Sequence, residues 1–267
     1  MIAAERYASP RLMQVIAPVA GIARAPEPAA EQLDQLLFGE RFDVLESLDG
    51  GWVFGQARRD GYVGFVRVEA LGPAGAAPTH WVSALRTFAF DQPSIKTRPV
   101  GRYSRNALAT VEAIDGRFAK ITGSGWIVRE HLSLIGEWAV DPASVALSYL
   151  GAPYLWGGRD SLGLDCSGLV QQALYACGRS APRDSDLQRT LGEALTPGED
   201  LSGLVRNDLV FWRGHVGMML DADNLLHANA HHMAVVIEPL AEAVPRIIGL
   251  GVGEPVAYRR LTQDEPA

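Results

Sequence analysis

Cysteine is scarce in this chain: Cys166 and Cys177 are the only two among 267 residues. They lie on one predicted helix, where a separation of eleven residues at about 1.5 Å per residue places them about 16 Å apart. A disulfide needs Cα atoms within about 7 Å, so the two cysteines do not pair. Cys177 is expected to be a small buried apolar residue of that helix.

Long apolar runs are missing as well. No window approaches the roughly 18 apolar residues that a membrane-spanning helix needs, and the run over residues 15–20 is broken by Pro18. Charged Glu5 and Arg6 stand where the apolar segment of an export signal would begin. If Met1 is the natural start, the sequence predicts a cytoplasmic protein that does not bind membranes.

An excess of basic residues is the third absence. Lys and Arg total 24 against 31 Asp and Glu, which gives a net charge of −7 without a basic stripe. This balance disfavours nucleic acid or an anionic membrane as a partner. The apolar fraction of 48% is ample for folded cores, and the length corresponds to roughly two domains.

The first half of the chain consists of short apolar segments separated by Asp-Gly turns, which indicates β-hairpins. The pattern is found in residues 9–73, ends in a linker rich in Pro, Gly and Ala, and is repeated in residues 78–137. We interpret this as an internal duplication of roughly 55–60 residues. Two small SH3-like β-barrels are therefore predicted.

Residues 138–267 show a different organisation. Asp141 and Pro142 mark the start of one helix, and a second helix follows Asp165 and ends at Gly178. Several strand-like segments then follow. Helices before a run of hairpin-linked strands predict an α+β domain in which the helices pack on an antiparallel sheet.

Cys166 lies where a Gly-rich loop becomes the second helix. The unpaired N–H groups and the dipole of the first turn favour a thiolate, and such sites lower a cysteine pKa from about 8.5 to about 3.5–7.5. His215 and His227 follow in strand-like segments. A cysteine at a helix start with histidines from later strands is the layout of a papain-like thiol hydrolase.

A set of motifs in this order resembles the NlpC-type cysteine peptidases of bacterial cell-wall peptides: Tyr154-Leu-Trp-Gly-Gly158, Asp165-Cys-Ser-Gly-Leu-Val170, Asp208-Leu-Val-Phe-Trp212, His215-Val-Gly217 and Leu226-His-Ala228. With SH3-type domains in front, the chain resembles γ-D-glutamyl-L-diamino-acid endopeptidases. The resemblance implies cleavage of murein peptides with a free N-terminal L-Ala, releasing L-Ala-γ-D-Glu from diaminopimelate or lysine in peptide recycling. It implies no metal or organic cofactor, and we expect a monomer whose partner is the peptide.

The same resemblance implies the catalytic roles. Cys166 would be the nucleophile, His215 the base and His227 the residue that orients His215, with the Cys166 N–H and a nearby donor meeting the oxyanion. Each residue also has a non-catalytic alternative. Cys166 could be a buried structural cysteine and His215 a surface histidine. His227 could be a core histidine, in which case His231 or His232 would be the third catalytic residue. A metal site is disfavoured because the histidine spacing matches no zinc pattern.

Substrate-binding residues are also implied by the resemblance. Asp165 would bind the α-ammonium, although it could simply cap the helix. Ser167 and Ser185 would hold the D-Glu portion, although Ser185 with Gln188 also reads as a capping box. From the first barrel the resemblance implies a tyrosine and an acid. Tyr62 matches the tyrosine, although it could instead be an ordinary aromatic residue of the barrel core. Glu31 matches the acid, with Glu40 and Glu27 as the other candidates, although Glu31 could instead be a solvated loop carboxylate.

Two other functions fit parts of the sequence. One is a binding protein for wall fragments whose peptidase-like domain does not cleave; the other is an amidase or acyltransferase on the same fold. The presence of Cys166, His215 and His227 together argues for the peptidase.

Overall fold

The computed structural model describes residues 9–198 and 200–262. Residues 1–8, which bear on the export prediction, and residues 263–267, the end of the predicted third domain, lie outside the described residues. Contacts divide the chain into two units, Met1–Leu134 and Ile135–Ala267. The division falls close to the boundary predicted at residue 137.

Residues 9–73 form one seven-stranded antiparallel sheet in the order β3-β2-β6-β5-β4-β1-β7. Its strands are β1 (Arg11–Val15), β2 (Val19–Ala23), β3 (Gln32–Leu37), β4 (Arg41–Leu48), β5 (Trp52–Ala57), β6 (Val63–Arg67) and β7 (Leu71–Pro73). Short 3₁₀ turns lie at Asp49–Gly51 and Val68–Ala70. The predicted Asp-Gly turns join β4 to β5 and β5 to β6.

The next block forms a five-stranded sheet, β10-β9-β14-β13-β12, and a three-stranded sheet, β11-β8-β15. Its strands are β8 (His80–Val82), β9 (Arg86–Phe90), β10 (Pro99–Ser104), β11 (Leu108–Ala109), β12 (Val111–Asp115), β13 (Phe118–Ile121), β14 (Trp126–Val128) and β15 (Leu132–Leu134). A 3₁₀ turn at Arg129–His131 precedes β15.

The two blocks pair their strands in the same scheme. In the first block β4, β5, β6, β2 and β3 are neighbours in that order. In the second block β12, β13, β14, β9 and β10 are neighbours in the corresponding order. The first strand of each block also pairs with its last strand. The duplication predicted from the turns is therefore repeated in the pairing, while an SH3-like identity for the second block stays a prediction.

The two blocks are joined at the end of β3. Leu37 and Phe38 belong to the apolar cluster of the second block. Gly39 has a φ of +82°, and a Cβ there would lie 2.0 Å from the Leu108 carbonyl oxygen. Glu40 is buried at 1% exposure and accepts a hydrogen bond from Arg59 at 2.9 Å. Glu40, one of the alternative substrate-binding acids, is thus part of the joint between the blocks.

Residues 135–262 form the predicted α+β unit. The helices are α1 (Pro142–Leu147), α2 (Cys166–Ala176), α3 (Ser185–Gln188) and α4 (Leu240–Gly249). The strands are β16 (Arg159–Asp160), β17 (Gly163–Leu164), β18 (Glu193–Leu195), β19 (Leu209–Trp212), β20 (His215–Met219), β21 (Asn224–Asn229), β22 (Ala234–Pro239) and β23 (Ala257–Arg260).

A six-stranded antiparallel sheet, β18-β23-β19-β20-β21-β22, is the centre of this unit. Helix α2 packs on β20 and β21, and α4 packs on β21 and β22. Helices on an antiparallel sheet were expected, whereas a papain-like packing stays a prediction. Over the described ranges, no helix combines the length and hydropathy needed to cross a membrane.

Helix α2 begins and ends where the sequence indicates. The Asp165 carboxylate accepts the Gly168 N–H at 2.8 Å, which caps the N-terminus. At the other end Gly178 has a φ of +71°, and the Arg179 N–H bonds the Leu174 carbonyl at 2.9 Å, which closes a Schellman motif. Cys166 and Cys177 are both free thiols. Cys177 is half-buried and follows the last helical residue, so it is less enclosed than predicted.

A buried arginine holds the cap of α2. Arg183 Nη1 and Nη2 donate to the two Asp165 oxygens at 2.9 and 2.6 Å, and both side chains are below 10% exposure. A similar pair caps α1, where Arg206 Nη2 donates to Asp141 at 2.6 Å, but its side chains are 40% and 31% exposed. Each arginine donates two hydrogen bonds to its capping carboxylate, to both oxygens of Asp165 but to the single oxygen Oδ2 of Asp141, and the second pair is far more exposed.

We predict that Arg183→Met lowers the free energy of unfolding by about 3–5 kcal/mol, because it leaves the Asp165 carboxylate buried without its counter-charge. Arg206→Met, the matched control, should cost at most about 1 kcal/mol because that pair is exposed. Urea unfolding followed by thiol labelling reports on this unit, since it contains both cysteines. Equal losses for the two variants would contradict the prediction.

Candidate active site

Three predicted catalytic residues come from neighbouring elements of the α+β unit. Cys166 is the first residue of α2, His215 is the first residue of β20, and His227 lies within β21. The Cys166 sulfur lies 4.0 Å from the carbonyl oxygen of Gly214 and is hydrogen-bonded by the backbone of Val216. The sulfur is therefore beside the two residues that flank His215.

The two histidines contact each other directly. His215 Nε2 and His227 Nδ1 are 2.9 Å apart, and the other nitrogen of His227, Nε2, lies 2.7 Å from Glu238 Oε2. His231 and His232 lie in the turn between β21 and β22. Of the three histidines considered for the third position, His227 is the one placed against His215.

The Cys166 thiol is not acidified by its helix position. Burial and then the Asp165 carboxylate raise its pKa to about 12, against the hydrogen bonds from Val216 and Ser167 and the charge of Arg183. The sequence-based prediction of a lowered pKa is wrong here, because removing a thiolate from water outweighs the favourable field of a helix N-terminus. The resting thiol is neutral.

The histidines are also held neutral. Burial, followed by His227 and Arg246, lowers the pKa of His215 to about 3 against the opposing effect of Glu238. Burial lowers the pKa of His227 to about 4, although the hydrogen bond with Glu238 raises it. At neutral pH each ring therefore carries one proton and offers one bare nitrogen.

Asp165 and Ser167 both accept hydrogen bonds from Arg183. Asp165 accepts hydrogen bonds from Gly157 N–H at 2.9 Å and Gly168 N–H at 2.8 Å, in addition to both Arg183 contacts. Ser167 Oγ accepts from Arg183 Nη1 at 2.8 Å and donates to Asp165 at 3.3 Å. The capping role considered for Asp165 is observed, and its charge is shared with a guanidinium.

Ser185 is the first residue of α3 and is buried. The capping box with Gln188, considered as the alternative role of Ser185, does not form, because Asp184 is the N-cap and Gln188 Nε2 donates to the carbonyls of Ser167 and Pro182 at 3.0 and 2.9 Å. Gln188 instead ties α3 to the first turn of α2.

The substrate residues predicted in the first block lie near one arginine of that block. Glu31 accepts a hydrogen bond from Arg24 Nε at 2.6 Å, and the pKa of Arg24 is raised mainly by Glu31 and slightly by Tyr62. Tyr62 is also packed, partly buried, against the apolar cluster of the block. Glu27 is exposed in the turn before β3.

Several residues of the site had not been singled out for a role. Tyr154 lies close enough that burial and then the charge of a Cys166 thiolate raise the pKa of its hydroxyl. Arg183 and Glu238 make the buried contacts described above. Tyr154 is the first residue of the Tyr154–Gly158 motif, so the sequence carried a signal that it belongs to the site. The sequence carried no such signal for Glu238, because its contact with His227 depends on the strand register that places His227 opposite Val236.

Comparisons with known proteins match both units. Residues 151–247 match the NlpC/P60 family, and residues 22–71 match the bacterial dipeptidyl-peptidase Sh3 domain. The chain is 24% identical over 256 residues to dipeptidyl-peptidase 6 of Lysinibacillus sphaericus, covering 86% of this chain and 92% of the relative. It is 26% identical over 231 residues to the gamma-D-glutamyl-L-lysine dipeptidyl-peptidase of Bacillus subtilis (strain 168), covering 79% and 76%.

The fold of a solved structure agrees with these matches. The crystal structure of an NlpC/P60 family protein from Bacillus cereus ATCC 10987 superposes with a TM-score of 0.78 at 20% identity, covering 93% of this chain and 99% of that one. The chain thus contains an NlpC/P60 domain at residues 151–247 and a bacterial SH3 domain at residues 22–71.

Proposed function

We propose that the protein is a cysteine endopeptidase that hydrolyses the γ-D-glutamyl–diamino acid bond of murein peptides carrying a free N-terminal L-Ala. The observation that carries the proposal is the hydrogen-bonded line of His215, His227 and Glu238 beside the Cys166 sulfur. The names of the two bacterial relatives support the peptide class. The recycling role and the cytoplasmic location predicted from the sequence belong to the same proposal.

The reaction begins from a neutral thiol and a neutral imidazole. His215 takes the thiol proton as the sulfur attacks the carbonyl carbon, and the imidazolium then gives that proton to the leaving amine as the C–N bond breaks. Water, deprotonated by His215, hydrolyses the thioester and frees the γ-carboxylate and the thiol. Burial opposes each charge alone, but a thiolate and an imidazolium formed together attract each other strongly in a site of low dielectric.

The oxyanion of the tetrahedral intermediate needs donors aimed at it. We assign this role to the Cys166 backbone N–H, at the start of α2, and to the Tyr154 hydroxyl. Tyr154 suits the role because its raised pKa keeps the hydroxyl protonated throughout the working pH range. A neutral hydroxyl donates to the oxyanion without adding negative charge.

Recognition of the peptide is proposed to rest on the residues that the resemblance singled out. Ser167 and Ser185 would hold the D-Glu portion. Asp165 would face the ammonium, although Arg183 already offsets its charge, so a second acid is needed for strong selection. Glu31, which is itself paired with Arg24, stays the prediction for that acid, and Tyr62 stays the predicted tyrosine of the pocket.

Peptide cleavage tests the substrate directly. We expect L-Ala-γ-D-Glu-diaminopimelate to be cut to L-Ala-γ-D-Glu and the free diamino acid, and the N-acetylated peptide to be cut at least about 100-fold more slowly, since a lost buried ion pair of roughly 3 kcal/mol corresponds to that factor. Product analysis by mass spectrometry is the measurement. Binding without turnover would favour the binding protein, and equal cleavage of both peptides would remove the amine requirement.

Substitution of Cys166 tests covalent catalysis. Cys166→Ala should reduce kcat by at least about a thousandfold, because no other nucleophile replaces the sulfur. Cys177→Ala is the matched control, since it removes the other thiol and should leave kcat within about twofold. Steady-state kinetics on the uncapped peptide measure kcat for both variants. A kcat of Cys166→Ala above roughly a thousandth of the wild-type value would count against the mechanism.

The acid limb of the pH profile follows from the buried histidines. Because the pKa of His215 is about 3 and that of His227 about 4, kcat/KM should stay level between pH 7 and pH 5 and fall only near pH 4 and below. Stability changes earlier: histidines of the unfolded chain take up protons below about pH 6.5, so the free energy of unfolding decreases as pH falls from there toward 4. An acid limb near pH 6.5 would contradict the assignment.

A further inference from the structure

The carboxylate next to the two histidines takes no part in the proton transfers of the proposed reaction, although its charge acts on both rings. Glu238, near the end of β22, places Oε2 2.7 Å from His227 Nε2. Arg246 of α4 donates to the same carboxylate with Nε at 2.9 Å and Nη2 at 2.6 Å. Glu238 is 14% exposed and Arg246 20%, while the His227 side chain is fully buried. The arrangement is fixed from two elements.

The charge state of Glu238 determines which nitrogen of His227 carries the proton. Burial alone would raise the pKa of Glu238, but the hydrogen bonds from Arg246 and His227 outweigh it and lower that pKa below its ordinary value. An ionised carboxylate only accepts hydrogen bonds. His227 Nε2 must therefore carry the hydrogen, and in the neutral ring Nδ1 is bare.

The same reasoning passes to His215. The bare Nδ1 of His227 lies 2.9 Å from His215 Nε2, so His215 Nε2 donates and carries the single proton of that ring. His215 Nδ1 is then bare. A bare nitrogen is what the base needs in order to accept the thiol proton.

A second group, the side-chain amide of Asn229, also lies next to His227 Nε2 and would favour the opposite tautomer. Asn229 Nδ2 lies 3.0 Å from His227 Nε2, and its orientation is fixed because Asn229 Oδ1 accepts the His232 N–H at 2.8 Å. An amide hydrogen donated to Nε2 would favour the opposite tautomer of His227. That tautomer would put protons on His227 Nδ1 and His215 Nδ1, and His215 could no longer act as the base.

The carboxylate wins this competition. In the opposite tautomer the bare Nε2 lone pair would face an ionised oxygen at 2.7 Å, which is repulsive. Charge-assisted hydrogen bonds are also roughly twice as strong as those between neutral groups. The charged and titratable groups that face His227 are Glu238, Arg246, His215 and His232, and among them Glu238 is the acceptor.

We propose that Glu238, held by Arg246, is a positioning residue that fixes the tautomer of His227 and through it leaves His215 Nδ1 free to take the Cys166 proton. The inference rests on the proposed function in treating His215 as the base. It adds a carboxylate and its arginine to the three residues implied by the sequence. When His215 becomes an imidazolium, the same line of hydrogen bonds spreads its charge toward Glu238.

Two measurements on the full chain test this. In ¹⁵N-histidine-labelled wild-type protein at pH 7, NMR should show bare Nδ1 and protonated Nε2 for both His215 and His227. In Glu238→Gln the side chain keeps its shape but loses its charge, and the His227 tautomer should shift toward Nδ1–H. Loss of the carboxylate partner of a metal-bound imidazole typically costs roughly 10–100-fold; by analogy, kcat on the uncapped peptide should fall by about that factor with KM within about threefold. Glu242→Gln, on the exposed first turn of α4, is the matched control and should leave both unchanged.

The outcomes separate this inference from the proposed function. A wild-type spectrum with His227 protonated on Nδ1 overturns the inference even if Glu238→Gln does not fold. So does an unchanged kcat, or a fall in kcat with both tautomers unchanged, which would mean a purely structural role. If the wild-type protein cleaves no murein peptide, the proposed function fails, while the NMR comparison of wild type, Glu238→Gln and Glu242→Gln still decides the tautomer.

Discussion

The buried ion pair between Arg183 and Asp165 is the interaction on which the site depends. Through Asp165 it fixes the first turn of α2 and the loop at Gly157, and through Ser167 it reaches the second residue of the helix. Cys166 stands between these two anchored residues. A side chain whose neighbours on both sides are held by one guanidinium has little freedom to leave its position beside β20, as the proposed nucleophile requires.

Burial gives this arrangement its chemical character. It keeps the thiol and both imidazoles neutral at rest, so reactivity arises by moving a proton within the site rather than from a standing thiolate. Among the residues that the structure describes, Glu238 is the carboxylate that acts on the histidines, and it is offset by Arg246. A buried charge without a partner is strongly destabilising, which explains why Asp165, beside Cys166, and Glu238, beside the histidines, are each paired with an arginine.

The N-terminal unit shows how far local signals reach. Asp-Gly turns and alternating apolar residues sufficed to predict the hairpins and the duplication, since a hairpin is closed by residues close together in the chain. The joint between the blocks was not predictable. It depends on Leu37 and Phe38 packing into a distant cluster and on a buried Glu40 that pairs with Arg59, and nothing in the local sequence distinguishes that glutamate from a solvated one.

What the sequence determined by itself was the part of the site that short-range interactions fix. The cap at Asp165, the place of Cys166 at the start of α2 and the glycine exit at Gly178 all follow from contacts within a few residues. Tertiary structure decided which histidine meets His215, the carboxylate that His227 faces, and the direction of the Cys166 pKa shift. These depend on the register of β21 against β22, on the approach of α4 and on exclusion of water, each of which is set by packing between residues that are far apart in the chain.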